Sequence, residues 1–196
     1  MAHYIFGYGS LISSESRNKT GATNEAWPVR MSGVQRGWNL VVPHFCMSAV
    51  GAYRKDGATC NGVLVSVLEQ EFPKFDEQEI PYGYVRNEVN PYDVEFLKEG
   101  ELTGKDTAWI YTTSNPGTPT QEAPIVQSYV DVILDGCMEF GLDFAKEFII
   151  TTKGWEMPWV NDRKNPRYPR ASAFSHDRLL LIEGTLQALV INRRIE

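Results

Sequence analysis

Apolar residues open the chain in a short run, Tyr4-Ile5-Phe6-Gly7-Tyr8. Its aromatic and β-branched content predicts a strand that breaks at Gly9-Ser10. Ser13 or Ser14 offers a cap for a short helix over Glu15 to Lys19. From Val29 to Val67 the pattern is that of several strands: Trp38 to Val42, Ala49 to Tyr53, and Gly62 to Val67, with Gly and Pro between them. Leu68, Phe72, Phe75 and Glu79 then recur at helical spacing. Pro73 falls near the first turn of that helix, where a missing N–H costs little, and Pro81 and Gly83 close the segment.

Alternation returns at Tyr84. Tyr84, Arg86 and Glu88 share one side of a strand, and Val85, Asn87 and Val89 the other. Asp106 to Thr113 reads as another strand, and Asn115 to Pro119 as a turn-rich loop. Pro124 starts the longest helix, with an apolar stripe through Ile125, Tyr129, Val132, Ile133, Cys137 and Phe140 and a terminator at Gly141. A second helix runs from about Leu142 to Thr151. The stretch from Gly154 to Ala171 is irregular and rich in Pro, Arg and Trp. The tail from His176 reads equally as helix or strand. Strands come first and helices later, without regular βαβ alternation. The expected fold is therefore α+β, a small mixed, mainly antiparallel β-barrel or sheet flanked by helices. No linker or repeat divides the chain, so a single domain over 1–196 is expected, with the irregular segment at about 154–171.

Composition narrows the chemistry. The 196 residues are 42% hydrophobic, 12% aromatic and 22% charged, an ordinary globular balance. A net charge of -6 argues against a general nucleic-acid binder. No apolar stretch reaches transmembrane length and the start lacks a signal-peptide pattern, so a cytoplasmic, soluble protein is expected, with no membrane partner. Three widely spaced cysteines, Cys46, Cys60 and Cys137, form no CxxC and read as reduced thiols. His3, His44 and His176 are scattered, and there is no GxGxxG, Walker A or GxSxG motif. Metal and nucleotide chemistry thus lack a signature, and a carboxylate remains as the obvious acid/base.

Two segments stand out. In Phe6-Gly-Tyr-Gly-Ser-Leu-Ile12, glycines bracket a tyrosine at a strand end. Such a turn lets backbone N–H groups approach an anion, or serves only as a tight turn. In Asp76-Glu-Gln-Glu-Ile-Pro-Tyr-Gly-Tyr-Val-Arg86, three acids crowd one helical turn. Glu79 lies on the Leu68–Phe72–Phe75 stripe and is expected to point inward, where its pKa would rise. Asp76 and Glu77 lie off that stripe and are expected to be more solvated.

Together these segments resemble the γ-glutamylcyclotransferase superfamily, which includes the ChaC-like and AIG2-like proteins. The likeness rests on a strand running into Tyr8-Gly9-Ser10-Leu11, and on Asp76-x-x-Glu79 followed by Tyr84-x-Arg86, over roughly the first 150 residues. Leu11 stands where cyclotransferases of γ-glutamyl-amino acids often carry Asn, and follows the ChaC-like pattern instead. Pro81 and Gly83 lengthen the path from Glu79 to Tyr84.

The resemblance implies closure of a γ-glutamyl group on itself. Its α-amine attacks its γ-carbonyl, giving 5-oxoproline and a released amine or amino acid. It implies Glu79 as general acid/base. It also implies Tyr8, Gly9, Ser10 and Leu11 as binders of the γ-glutamyl group through backbone N–H groups and the Ser10 hydroxyl. Tyr84 is placed either to hydrogen-bond substrate or Glu79, or to be a wall ring. Arg86 is expected to pair with a carboxylate such as Glu88, and Trp38 to be core. The partner is a small γ-glutamyl compound, with no metal, cofactor or nucleic acid, and the oligomeric state, a homodimer included, is left open. The 154–171 segment either covers the cleft and contacts an anionic leaving portion or is an ordered surface loop. The alternative reading is a non-catalytic small-molecule binding or interaction protein on the same fold.

Overall fold

The computed structural model describes residues 2–189. The chain begins with β1 (His3–Gly7), a one-turn 3-10 segment at Ser10–Ile12 and α1 (Ser14–Asn18). Ser13 is the cap of α1, its Oγ accepting from the Ser16 N–H at 3.3 Å. Two long strands follow, β2 (Thr23–Val42) and β3 (Met47–Val67). Where several strands were expected, the chain makes one antiparallel hairpin interrupted by three register shifts, at Thr23/Ala26, Ser32/Val34 and Trp38/Leu40. Gly and polar residues that punctuate the pattern act as bulges, bending strands without ending them.

The next elements are α2 (Phe72–Glu79), β4 (Val85–Glu88), β5 (Val94–Phe96) and β6 (Thr107–Thr112). Pro73 does lie in the first turn of α2, but Leu68 precedes the helix and is exposed, so the inward stripe is Phe72 and Phe75. The remaining elements are β7 (Ile125–Val126), α3 (Gln127–Met138), α4 (Leu142–Thr151), β8 (Thr152–Lys153), β9 (Trp159–Val160) and α5 (His176–Leu189). The tail that the pattern left undecided is thus helical as far as Leu189. Residues 190–196 of that tail lie outside the described residues. Pro124 does not start α3; two residues of strand intervene.

The main path of the sheet is β4-β6-β1-β3-β2-β5. β1 pairs antiparallel with β3 and parallel with β6. It is central, and Ile5 and Phe6, on opposite faces, are both buried. The fold is α+β with a mostly antiparallel sheet. Among the described residues β4 and β5 do not pair, so the sheet is open and not a closed barrel.

Helix α3 is the buried spine, apolar through Val130, Ile133, Leu134 and Cys137. It runs so close to the start of α1 that a Cβ on Gly136 would overlap the Ser13 backbone. Arg36 of β2 is fully buried and closes the end of α4. Its guanidinium donates to the Phe148 carbonyl, to Thr151 and Thr152 hydroxyls, and to both the side chain and the carbonyl of Asn61. It also stacks 3.7 Å from the Phe148 ring centroid. A cation at the carbonyl end of a helix is favoured by the exposed peptide dipoles there. Among the described residues no helix is long and apolar enough to cross a membrane.

Candidate active site

Three remote stretches converge on one cavity of about 370 Å3. The first is the exit of β1, Tyr8–Leu11. The second is the end of α2 with the 3-10 turn Ile80–Tyr82. The third is Tyr168–Arg170, from the irregular strap after β9. The floor is one face of the β2–β3 hairpin. A volume near the lower end of the ~300–1,000 Å3 usual for ligand pockets suits a small metabolite.

Glu79 is the last residue of α2. It is half-buried, its open side turned to the cavity. Among the described residues nothing donates to its carboxylate and no cation lies within ion-pair distance. Burial pushes its pKa up to about 7, and the nearby Arg170 guanidinium opposes that rise. The surrounding groups are phenols. Tyr8, Tyr82, Tyr84, Tyr111 and Tyr129 all feel the Glu79 charge, with burial the larger cause in each, and all are held above the ordinary tyrosine range. An acid with this environment is poised to take and return a proton near neutrality.

The Tyr8–Leu11 loop faces it across the cavity. The Tyr8 hydroxyl donates to the Tyr111 carbonyl at 2.8 Å, fixing the ring in the wall. Gly9 leads into the 3-10 turn, and the Tyr129 hydroxyl lies against it, 3.1 Å from where a Cβ would stand. The N–H groups of Ser10 and Leu11 open that turn, where no carbonyl of the turn accepts from them. They are available to an anion or carbonyl oxygen.

Arg170 completes the wall. Its Nε donates to the Tyr168 hydroxyl at 2.8 Å, and Nη1 to Thr20 Oγ1 at 2.5 Å and Gln78 Oε1 at 2.9 Å. Nη2 donates to Ser10 Oγ at 3.2 Å. Sequence reasoning reached Arg170 only as part of a segment able to cover the cleft. Tyr111 and Tyr129 were read as strand and helix-stripe positions, because nothing local distinguishes a cavity ring from a core ring.

Three expectations are decided or displaced. Tyr84 does not line the cavity, so of its two readings, a contact to substrate or Glu79 and a ring in the wall of the fold, the structure has the second. Tyr84 is 2% exposed and donates to Asn39 Oδ1 at 3.0 Å behind the floor, over Gly51, where a Cβ would overlap both groups. Asp76 is not part of a solvated face: it accepts from the Tyr111 hydroxyl at 2.7 Å and lies 3.4 Å from Arg86. Arg86 faces Asp76, not Glu88, and stacks on Phe72 at 4.4 Å. Glu77 is exposed at the cavity rim, and Trp38 is core. Among the described residues no three His, Cys, Asp or Glu side chains are grouped as metal ligands would be.

An open α+β sheet, a glycine-flanked loop and the cavity glutamate Glu79, with Glu77 at the rim, thus meet at one site. The chain belongs to the γ-glutamyl cyclotransferase, AIG2-like family, whose model matches residues 5–129. No curated protein sequence matches it. Among solved structures, it is similar to a γ-glutamyl cyclotransferase at 17% identity, covering 94% of this chain and 99% of that one with a TM-score of 0.61. It is similar to an uncharacterized protein from Homo sapiens at 19% identity, 93% and 98% coverage and a TM-score of 0.59. It is also similar to YkqA from Bacillus subtilis at 17% identity, 78% and 56% coverage and a TM-score of 0.51. At these identities the likeness is one of fold.

Proposed function

We propose that the protein is a γ-glutamyl cyclotransferase with Glu79 as its single acid/base. The observation that carries this is an uncommitted carboxylate, with a pKa near 7, facing the Tyr8–Leu11 loop across a metabolite-sized cavity. Family membership supports the reaction class.

The attacking group is already tethered to its target, so much of the barrier is removed by holding one rotamer. The Ser10 and Leu11 N–H groups receive the γ-carbonyl oxygen. Ionised Glu79 takes a proton from the α-ammonium. The freed amine attacks the γ-carbonyl and closes a five-membered ring, and the developing oxyanion is steadied by the same N–H groups. Protonated Glu79 then returns its proton to the departing nitrogen and the C–N bond breaks; ionised again, Glu79 takes the surplus proton from the new ring nitrogen and passes it to the freed amine, which leaves as an ammonium. No water is consumed: the γ-glutamyl amide becomes 5-oxoproline and a free amine.

The test is 5-oxoproline release from glutathione, several γ-glutamyl-amino acids and simple γ-glutamyl amides. Glu79→Gln is expected to lower kcat by about 10²–10⁴-fold with an unchanged circular-dichroism spectrum. Unimpaired turnover by the variant would remove Glu79 from the mechanism. Absence of 5-oxoproline across the panel, with a ligand-induced melting shift, would favour a binding protein.

A further inference from the structure

Arg170 has features that wall-building does not require. A guanidinium carries five N–H groups. Four are engaged, and all four acceptors are neutral oxygens, those of Tyr168, Thr20, Gln78 and Ser10. Among the described residues one Nη2 N–H has no acceptor and no carboxylate lies within ion-pair distance. Half-buried cations are normally paired; here the neutral contacts fix the fork in place and leave its charge unanswered. Arg170 is also the one cation among the described residues lining the cavity, and Glu77 and Glu79 are the anions. Arg167, the next cation on the strap, donates to the Cys46 carbonyl at 2.9 Å and is not in the wall.

The other end of the cavity is different in kind. Leu40 pairs with Ala49 and Val42 with Met47 across the hairpin, and all four side chains line the cavity. They make an apolar strip leading from Val50, beside Gly9, to Phe45 at the hairpin tip. Glu77 stands at the rim.

We propose that Arg170 holds the α-carboxylate of the γ-glutamyl group, and that the apolar strip receives the substituent of the departing amine, so that the preferred substrates are γ-glutamyl amides whose amine carries an uncharged, apolar substituent. The inference rests on the cyclotransferase reading for the identity of the glutamyl group. The α-carbon bears both the amine and the carboxylate. If the amine is at Glu79, the carboxylate falls beside it, at the cation that bridges to Ser10 of the loop. One cation answers one carboxylate. A second carboxylate, on the released amino acid, would face the apolar strip and Glu77 and find no second cation among the described residues of the wall, an unfavourable desolvation. The reaction balances as before, giving 5-oxoproline and the amine, which carries away the proton of the α-ammonium. Arg170 lies on the strap, beyond residue 129, where the family match ends.

The test is binding, which does not depend on turnover. Calorimetry compares 5-oxoproline with 2-pyrrolidinone, the same lactam without its carboxylate. Wild type is expected to bind 5-oxoproline about ten- to hundred-fold more tightly, the range for a charge-assisted hydrogen bond, and Arg170→Gln to erase most of the difference. Equal binding of the two lactams by wild type overturns the anchor whether or not the variant folds. On Glu79→Gln, γ-glutamyl-benzylamide is then compared with γ-glutamyl-phenylglycine, which adds only a carboxylate on the leaving amine. The benzylamide is expected to bind about ten-fold more tightly; equal or reversed affinities overturn the assignment of the apolar strip. Release of 5-oxoproline by wild type from either amide is scored separately, and its absence would count against the cyclotransferase reading alone.

Discussion

Glu79 sits at a cost. Its value near 7 lies above the 4.5 of an ordinary glutamate, so between those pH values the folded protein holds a proton that the unfolded chain has released. Stability on this account is fully present below about pH 4.5 and is lost as pH rises through about 7. Glu79→Gln, which cannot ionise, is expected to be more stable than wild type by about 3 kcal/mol near pH 8, with the gain vanishing below about pH 4.5. Urea unfolding at the two pH values checks this. The same ionisation is expected to give kcat/KM an acidic limb that rises with pH to about 7, read from a pH profile and absent in the variant. Gly51 sets a different constraint. Its missing side chain admits the Tyr84–Asn39 hydrogen bond, and Gly51→Ala is expected to lower unfolding stability by roughly 2–4 kcal/mol, measured by denaturant titration. Glu79 was legible in the sequence because it shares a helix face with Phe72 and Phe75, and the loop because glycines flank its tyrosine. Arg170 was not, because its role comes from Ser10, Thr20 and Gln78, none near it in the chain. Tyr84 was left between two readings because alternation tells which side of a strand a ring takes, not what lies on that side.

Among elements, the short strap is held more firmly than its irregular backbone suggests. Asp162 accepts from the Ser128 N–H at 2.8 Å, the Ser128 hydroxyl at 2.6 Å and the Arg167 N–H at 2.7 Å. It therefore satisfies the open start of α3 and fastens the strap that carries Arg170. Arg163 adds ion pairs to Asp131 of α3 and Glu183 of α5, each at 2.6 Å. Asp162→Ala is expected to cost about 1–3 kcal/mol and, by loosening the strap, to raise KM more than it lowers kcat. Steady-state kinetics separates that split from a general loss of fold, which would lower the active fraction and leave KM unchanged. Helices α3 and α4 were visible in the sequence as long apolar periodicities. The hairpin was not visible as one unit. Bulges at Ser32/Val34 and Trp38/Leu40 look like strand ends in a linear pattern, and only the pairing partner shows that the strand continues. The role of Arg36 at the end of α4 is likewise a contact across more than a hundred residues.

At the scale of the molecule, the cavity is a junction of the beginning, middle and end of the described chain. A ligand that touches the loop, Glu79 and Arg170 ties these parts together. Saturating 5-oxoproline is expected to slow amide hydrogen exchange in 8–11, 77–82 and 168–170 in concert, while the far edge strand β5 is unaffected. Protection confined to one of the three stretches would show that the ligand does not span the junction.

The order of these stretches also sets a clock during synthesis. A ribosome adds roughly 5–20 residues per second, so Arg170 follows Glu79 by roughly 5–20 s. Through that interval a nascent chain has its proton carrier and its glycine-flanked loop but lacks its one cavity cation. Competence for an anionic metabolite therefore arrives late and abruptly, with the last wall of the pocket. An unfinished chain would leave that metabolite untouched.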